Sequence, residues 1–170
     1  QDKAIGLISH IRGTKTAIDR EEGVRSALSS RSEDQILGTF YSMNDFDMAY
    51  RIVRELVLEH PELGGIVALN ENSTVGAGRA LRELDVYDEI QLVGFDNSRE
   101  EIEFLERGIV DALVVQRPFN MGYLGIRAVT DALRGKEVPP VIHTDSVLVR
   151  AGDMFTEEIQ KLLFPIVRDN

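Results

Sequence analysis

Short apolar runs take turns with longer amphipathic segments along nearly the whole of this sequence, and that alternation leaves few folds open. The runs Ala4–Ser9, Gln35–Phe40, Ile66–Leu69, Ile90–Phe95, Val110–Val115 and Val141–Val149 have the length and apolar character of strands. Between them lie segments with apolar residues at helical spacing. Ala17–Ser30 carries Val24, Ala27 and Leu28, and a helix opened by Asp45 carries Met48, Ile52, Val53, Leu56 and Val57. Ser73–Leu84 and Asn120–Arg134 are two more, the second closed by Gly135, and a short helix over Thr156–Leu163 ends the series. Ser98 and Glu101 have the spacing of a capping box, in which hydroxyl and carboxylate each satisfy an unpaired amide, at the head of a helix that stops at Gly108. A helical crossover is what returns a chain to begin a parallel neighbour, so this order predicts an α/β fold with a parallel sheet.

The 170 residues suit one domain, and 43% hydrophobic with 28% charged residues describes a globular chain with a real core. Acidic side chains outnumber basic ones by 29 to 19, a net charge of −10 that repels a polyphosphate and argues against nucleic-acid binding by this segment. With no cysteine there is no disulfide framework, thiolate metal site or thiol nucleophile. The longest apolar runs are far shorter than a membrane span, and the first residues lack a basic-then-apolar signal pattern. The chain starts at Gln1, directly before a strand-like run, which suggests that a preceding segment has been cut away.

In open parallel sheets ligands gather beyond the carboxyl ends of the strands, where helix amino termini and loops converge. Each of those ends offers one side chain: Arg20 in the helix after the first strand, Phe46 after the second, then Asn70, Asp96 and Gln116. Amides donate and accept at once, a carboxylate accepts two bonds, and a guanidinium donates in a planar fork. Adjacent hydroxyls of a sugar need such groups, and a phenyl ring supplies an apolar face for the C–H side of the ring. Each residue also has a purely structural alternative. Asp96 and Asn70 suit turns or caps, Arg20 and Gln116 suit the surface, and Phe46 suits the core or a hydrophobic staple; the joint placement favours a binding rim.

Other features lead elsewhere. His10, His60 and His143 lack metal-ligand spacing and read as solvated or satisfied side chains, so neither a metal nor a cofactor is expected. Gly76-Ala77-Gly78 departs from a dinucleotide fingerprint, because Leu81 stands where the third glycine or alanine belongs, and reads as a site of close helix packing. Asn72-Ser73-Thr74 reads as a helix amino-terminal cap. Glu100-Glu101-Glu103 reads as a solvated first turn complementing the helix dipole. No activated nucleophile, metal cluster or phosphate loop supports an enzyme.

Several ordered motifs carry a resemblance: Arg20-Glu21-Glu22-Gly23, Asp45-Phe46-Asp47, His60 to Glu71, Val93-Gly94-Phe95-Asp96, Val115-Gln116-Arg117-Pro118 with Met121-Gly122, and Leu133-Arg134-Gly135-Lys136. In order and spacing the chain from about Ala4 onward resembles the type I periplasmic sugar-binding proteins, ribose-binding-like, and the related ligand-binding domains of LacI-type repressors. Two departures are Glu71, where the family usually has aspartate, and the His10-Ile11-Arg12 loop, which is less glycine-rich than usual. The resemblance implies a Rossmann-like parallel sheet sandwiched by helices, the second lobe of a two-lobed protein. It implies that Arg20 donates to sugar oxygens, Phe46 stacks on the ring, Asn70 and Asp96 bond hydroxyls, and Gln116 sits at the hinge edge.

It divides the chain into a sugar-binding lobe over 1–117, a strand-helix excursion over 118–140 belonging to a missing amino-terminal lobe, and a return strand with carboxy-terminal helix over 141–170. The implied function is non-enzymatic binding of a pentose or hexose by an exported receptor that serves the membrane permease of an ABC transporter or a sensor. Its location would be extracytoplasmic. The alternative is the effector-binding core of a cytoplasmic LacI-type regulator. The apolar face of the 120–134 helix, with Met121, Ile126, Val129 and Leu133, would pack in the missing lobe; without that lobe it would dock on a second copy or fold back on its own sheet.

Overall fold

The computed structural model describes residues 3–29 and 36–164. Ser30 and Gln35, which the sequence reading assigns to a helix end and a strand start, lie outside the described residues, as do residues 165–170 of the carboxy-terminal part. In chain order the elements are β1 (Ala4–Ser9), α1 (Lys15–Ala27), β2 (Ile36–Tyr41), α2 (Phe46–Glu59), β3 (Leu63–Ala68), α3 (Glu71–Leu84), β4 (Gln91–Phe95), α4 (Arg99–Glu106), β5 (Ala112–Gln116), α5 (Pro118–Leu133), β6 (Ser146–Val149), a 3₁₀ turn (Ala151–Phe155) and α6 (Glu157–Leu163). The sheet order is β2-β1-β3-β4-β5-β6. β1 to β5 pair in parallel, as the alternation requires.

Right-handed crossovers carry α1 over one face of this sheet and α2, α3 and α4 over the other. The crowded face holds the main core, where Ile8, Ile66, Leu92 and Leu113 from the strands join Val53, Leu56, Leu81 and Phe104 from the helices. The face under α1 is more open, and Val67, Val93, Phe95 and Val114 are only partly buried there. Gly76 and Gly78 allow the close approach on the crowded face. A Cβ on Gly76 would collide with the Phe46 carbonyl and Ala49, and one on Gly78 would strike the Phe104 ring.

Local chemistry sets the helix starts. Asp45 accepts from the Met48 amide at 2.6 Å, and Ser98 and Glu101 form the capping box foreseen from their spacing. The cap of α3 is Asn70, whose side-chain Oδ1 accepts from the Ser73 amide, so the expectation of a cap at Asn72-Ser73-Thr74 is corrected by two residues. Glu101 corrects the solvated acidic turn: its side chain is fully buried, while Glu100 is held by Arg79 and only Glu103 is exposed.

The end of the chain departs most from expectation. The last strand covers Ser146–Val149 and not Val141–Val149, and it is antiparallel to β5, with Gln116 opposite Ser146. The physical reason is the path of α5, which buries none of its residues against the sheet. It does not cross back to the starting end, so the chain re-enters at the edge it left and must run down β5 in reverse. The 3₁₀ turn, absent from the sequence reading, brings Met154 into the core, and α6 adds Ile159 and Leu163.

Candidate functional site: a polar rim at the carboxyl ends of the strands

Parallel pairing brings the ends of β1 to β5 to one edge, and the loops leaving them are knitted together by backbone bonds. Ser42 donates its amide to the Ser9 carbonyl at 2.8 Å, Leu69 to Ile8 at 2.8 Å, and Asp96 to Val114 at 3.0 Å. The residues singled out from the sequence therefore leave the sheet from neighbouring strands.

Arg20 lies in the second turn of α1 and donates Nη1 to the Leu69 carbonyl at 2.6 Å, while its guanidinium carbon stands 4.7 Å from the Phe95 ring centroid. It thereby bridges the segments just before Asn70 and Asp96, and no other partner engages the rest of its fork among the described residues. Asp96 has a left-handed backbone at φ 79°. Its carboxylate accepts from Gln116 Nε2 at 2.6 Å and from the Glu71 amide at 3.3 Å, tying β4 to β5 and to the head of α3. Asn70 accepts from the Ser73 amide at 3.3 Å and donates Nδ2 to Asn44 Oδ1 at 2.9 Å. Asp96 and Gln116 are thus bonded directly, and Arg20 and Asn70 join them through the backbone of residues 69–71 to make one polar rim.

Phe46 stands at the same edge but is joined differently. It is the first residue of α2, 40% exposed, with its ring centroid 4.5 Å from the Arg79 guanidinium. Arg79 is fixed by a two-bond fork to Glu100, at 2.8 and 2.7 Å, and that bond holds the Glu100 carboxyl below its ordinary range. The ring is backed by a cation and makes no direct bond to the other four residues.

The structure adds residues that the sequence reading passed over. Glu21 accepts from the buried Ser9 hydroxyl at 2.7 Å and from the Tyr41 phenol at 3.2 Å, a second polar cluster at the ends of β1 and β2. Partial burial, helped by Glu21, raises the Tyr41 phenol above its usual range. His10 leaves β1 with Nε2 3.1 Å from the Thr16 hydroxyl and 3.2 Å from that of Thr14. Its pKa is lowered first by burial and then by Arg20, against the opposing pull of Glu21 and Asp96. The satisfied side chain expected of it holds at Nε2 only, since the buried Nδ1 has no partner among the described residues, and its location among the rim charges was not foreseen. The adjacency of Arg20 and Glu21 in one strand-end helix, and an asparagine just before a helix cap at Asn44, were the available signals.

Chemically the rim offers a guanidinium donor fork, two amides and a carboxylate, with a cation-backed aromatic ring beside them. Such a set is equipped for hydrogen bonding and stacking. Among the described residues no three potential metal ligands cluster. No described helix is long and apolar enough to cross a membrane.

The chain as a whole is similar to known proteins. Residues 1–137 match the family model for the periplasmic binding protein domain. The ribose import binding protein of Salmonella typhimurium is 27% identical over 139 residues, which cover 82% of this chain and 46% of that protein. The ribose operon repressor of Halalkalibacterium halodurans is 34% identical over 97 residues, covering 53% of this chain and 28% of the repressor. An ABC transporter solute-binding protein from Agrobacterium vitis, solved with bound D-fucose, superposes with a TM-score of 0.88 at 26% identity, over 95% of this chain and 56% of that one. The chain spans about half the length of the ribose import binding proteins it matches.

Proposed function

The chain belongs to the periplasmic binding protein domain family and has the fold of the type I sugar-binding proteins, and from that premise we propose that it is the carboxy-terminal lobe of a receptor for a small sugar. The observation that carries the reading is the convergence of Arg20, Asn70, Asp96 and Gln116 on one rim, with Phe46 beside them. In this reading residues 1–117 are the sugar-binding lobe, 118–140 belong to an amino-terminal lobe, and 141–170 return to the first. Both passages leave the sheet at the rim, since Gln116 and Ser146 are paired neighbours, and a partner lobe hinged there would close over the same edge. A pentose or hexose favours the closed state by the contacts it makes only when both lobes hold it. No bond of the sugar is made or broken; release to the permease of an ABC transporter, or presentation to a sensor, is the output, and the protein works outside the cytoplasm.

Calorimetry on the two-lobed protein with a panel of pentoses and hexoses tests this. One sugar should bind, and Asp96→Ala should weaken it by about 1.5–3 kcal/mol, the range for hydrogen bonds to a charged group. Unchanged affinity would return Asp96 to a purely structural role between Gln116 and Glu71.

A second reading, the effector-binding core of a LacI-type regulator, is favoured by the likeness to the ribose operon repressor. Cell fractionation separates the two, since a receptor is recovered outside the cytoplasm and a regulator within it. In either case α5 needs a cover, because Ile126 is 70% and Leu133 84% exposed. The amino-terminal lobe supplies it in the full protein, and in this chain alone a second copy does. Sedimentation should then give a dimer that Ile126→Glu dissociates; a wild-type monomer ends that part of the proposal.

A further inference from the structure

Four non-glycine residues among those described have left-handed backbones: Met43 at φ 54°, Asn44 at φ 60°, Asp85 at φ 55° and Asp96 at φ 79°. Asp85 is the carboxy-terminal cap of α3, where such a conformation is routine. The other three stand at the rim. Two left-handed residues in succession are costly, more so for methionine than for asparagine, and persist only where surrounding bonds over-determine them.

Three bonds do so here, all from the turn after β2 into the first turn of α3. Ser42 and Ser73 share a hydroxyl–hydroxyl bond at 3.0 Å, Asn72 Nδ2 donates to the Asn44 carbonyl at 2.7 Å, and Asn70 Nδ2 donates to the Asn44 side-chain oxygen at 2.9 Å. The last fixes more than the turn. A primary amide has two N–H groups and an oxygen with two lone pairs. In Asn70 one lone pair receives the Ser73 amide and one N–H goes to Asn44. A flipped amide would set N–H against N–H at Ser73 and oxygen against oxygen at Asn44, so the remaining donor and acceptor have one fixed sense.

Resting on the sugar-binding reading of the rim, we infer that Asn44 is a positioning residue for specificity: by holding one amide hydrogen of Asn70 it presents that residue's free N–H and free lone pair, in fixed order, to two neighbouring hydroxyls. One hydroxyl accepts and the other donates, so sugars that invert either centre lose a bond.

The test uses Asn44→Asp, Asn44→Gly and Asn44→Ala in the two-lobed protein, each alone and combined with Asn70→Ala, with D-ribose and D-fucose as probes. Aspartate keeps the acceptor and tolerates the left-handed backbone, so it should retain affinity within about threefold. Glycine relaxes the backbone but removes the acceptor, so it should keep thermal stability and still lose about tenfold in affinity, as should alanine. With Asn70→Ala in place, these losses should vanish, because nothing remains to position. Losses of equal size in both backgrounds, or full affinity in the glycine variant, would overturn the inference.

A readout without ligand separates it from the reading on which it rests. In the ¹⁵N-labelled chain, solvent exchange of the Asn70 side-chain amide should be slow in wild type and the aspartate variant and fast in the other two. Slow exchange in a two-lobed protein that binds no member of the pentose and hexose panel would sink the sugar reading, and the recognition role with it. Uniformly fast exchange in a protein that does bind would sink the positioning role alone.

Discussion

α3 and α5 are helices of similar length, 14 and 16 residues, with opposite fates. By sequence α5 is the more apolar, with Arg127 and Asp131 its only charged side chains, where α3 carries Glu71, Arg79, Arg82 and Glu83. Yet α3 buries eight residues and α5 buries none. Burial here follows location and not composition. The crossover from β3 to β4 lays α3 against the sheet between α2 and α4, and even its Ser73 and Thr74 are sealed in, bonded to Ser42 and to the backbone of Asn70 and Phe95. The turn into α5 at Arg117-Pro118 instead sends an apolar helix beyond the sheet edge. A face that is apolar and uncovered is the mark of a surface made for another lobe or another copy.

The two regions also treat carboxyl groups differently, and pH gives the largest way to sharpen the contrast. On α5, Asp131 is lowered by its bond to Lys136, as a surface acid with a cation partner should be. On the packed side, Glu101 is fully buried and raised from 4.5 to about 8, mainly by loss of water and against the pull of its bonds to Ser98, with Glu71 and Asp96 adding to the rise. Its proton is therefore held by the fold at neutral pH. Below about 4.5 folded and unfolded chains are both protonated and the contribution is at its maximum. Between about 4.5 and 8 the unfolded chain releases a proton that the folded one keeps, so stability falls as pH rises, and the loss is complete above 8. Glu101→Gln keeps the capping acceptor and removes the titration. Urea melts from pH 4.5 to 8 should show the variant gaining on wild type by up to about 4 kcal/mol. A difference that stays flat with pH would mean that Glu101 is ionised throughout and that water reaches the packed side.

How much of this was legible in the sequence divides along the same line. The parallel strands and the helices between them were readable because each is short, local and closed by its own punctuation: Asp45, the Ser98 and Glu101 pair, Gly108 and Gly135. So was the gathering of strand-end residues at one edge, since parallel pairing makes those ends neighbours whatever the details. What the sequence hid depends on partners remote in the chain. Nothing local to Val141–Val149 says that its first five residues pair with no strand, or that the remainder runs against β5. Nothing local to Glu101 distinguishes it from the exposed Glu103, because the difference is the lid formed by α3 and the rim. Phe46 was assigned to the rim by its place after β2, and only coordinates reveal that Arg79 and Glu100 back its ring. Asn44 was missed for a similar reason, since its role comes from a bond to a residue 26 positions away.

The smallest effect tests the comparison most directly, because the same substitution is made in both helices. Gly76 has no room: a Cβ there meets the Phe46 carbonyl, Ala49 and the Tyr50 amide, mostly backbone that cannot step aside. Gly76→Ala should force α2 and α3 apart and cost about 1–3 kcal/mol, the usual penalty of overpacking, with a weakening of any ligand that touches Phe46. Gly125 in α5 has nothing within 4 Å of where its Cβ would be. There the helix gains the better propensity of alanine and nothing within the chain clashes, so Gly125→Ala should stabilise by about 0.5–1 kcal/mol in denaturant melts run too dilute for a second copy to bind α5. The sign is the informative part. If Gly125→Ala destabilises, the outer surface of α5 is already pressed against something in solution, and a loss that deepens with protein concentration would identify that something as a second copy of the chain.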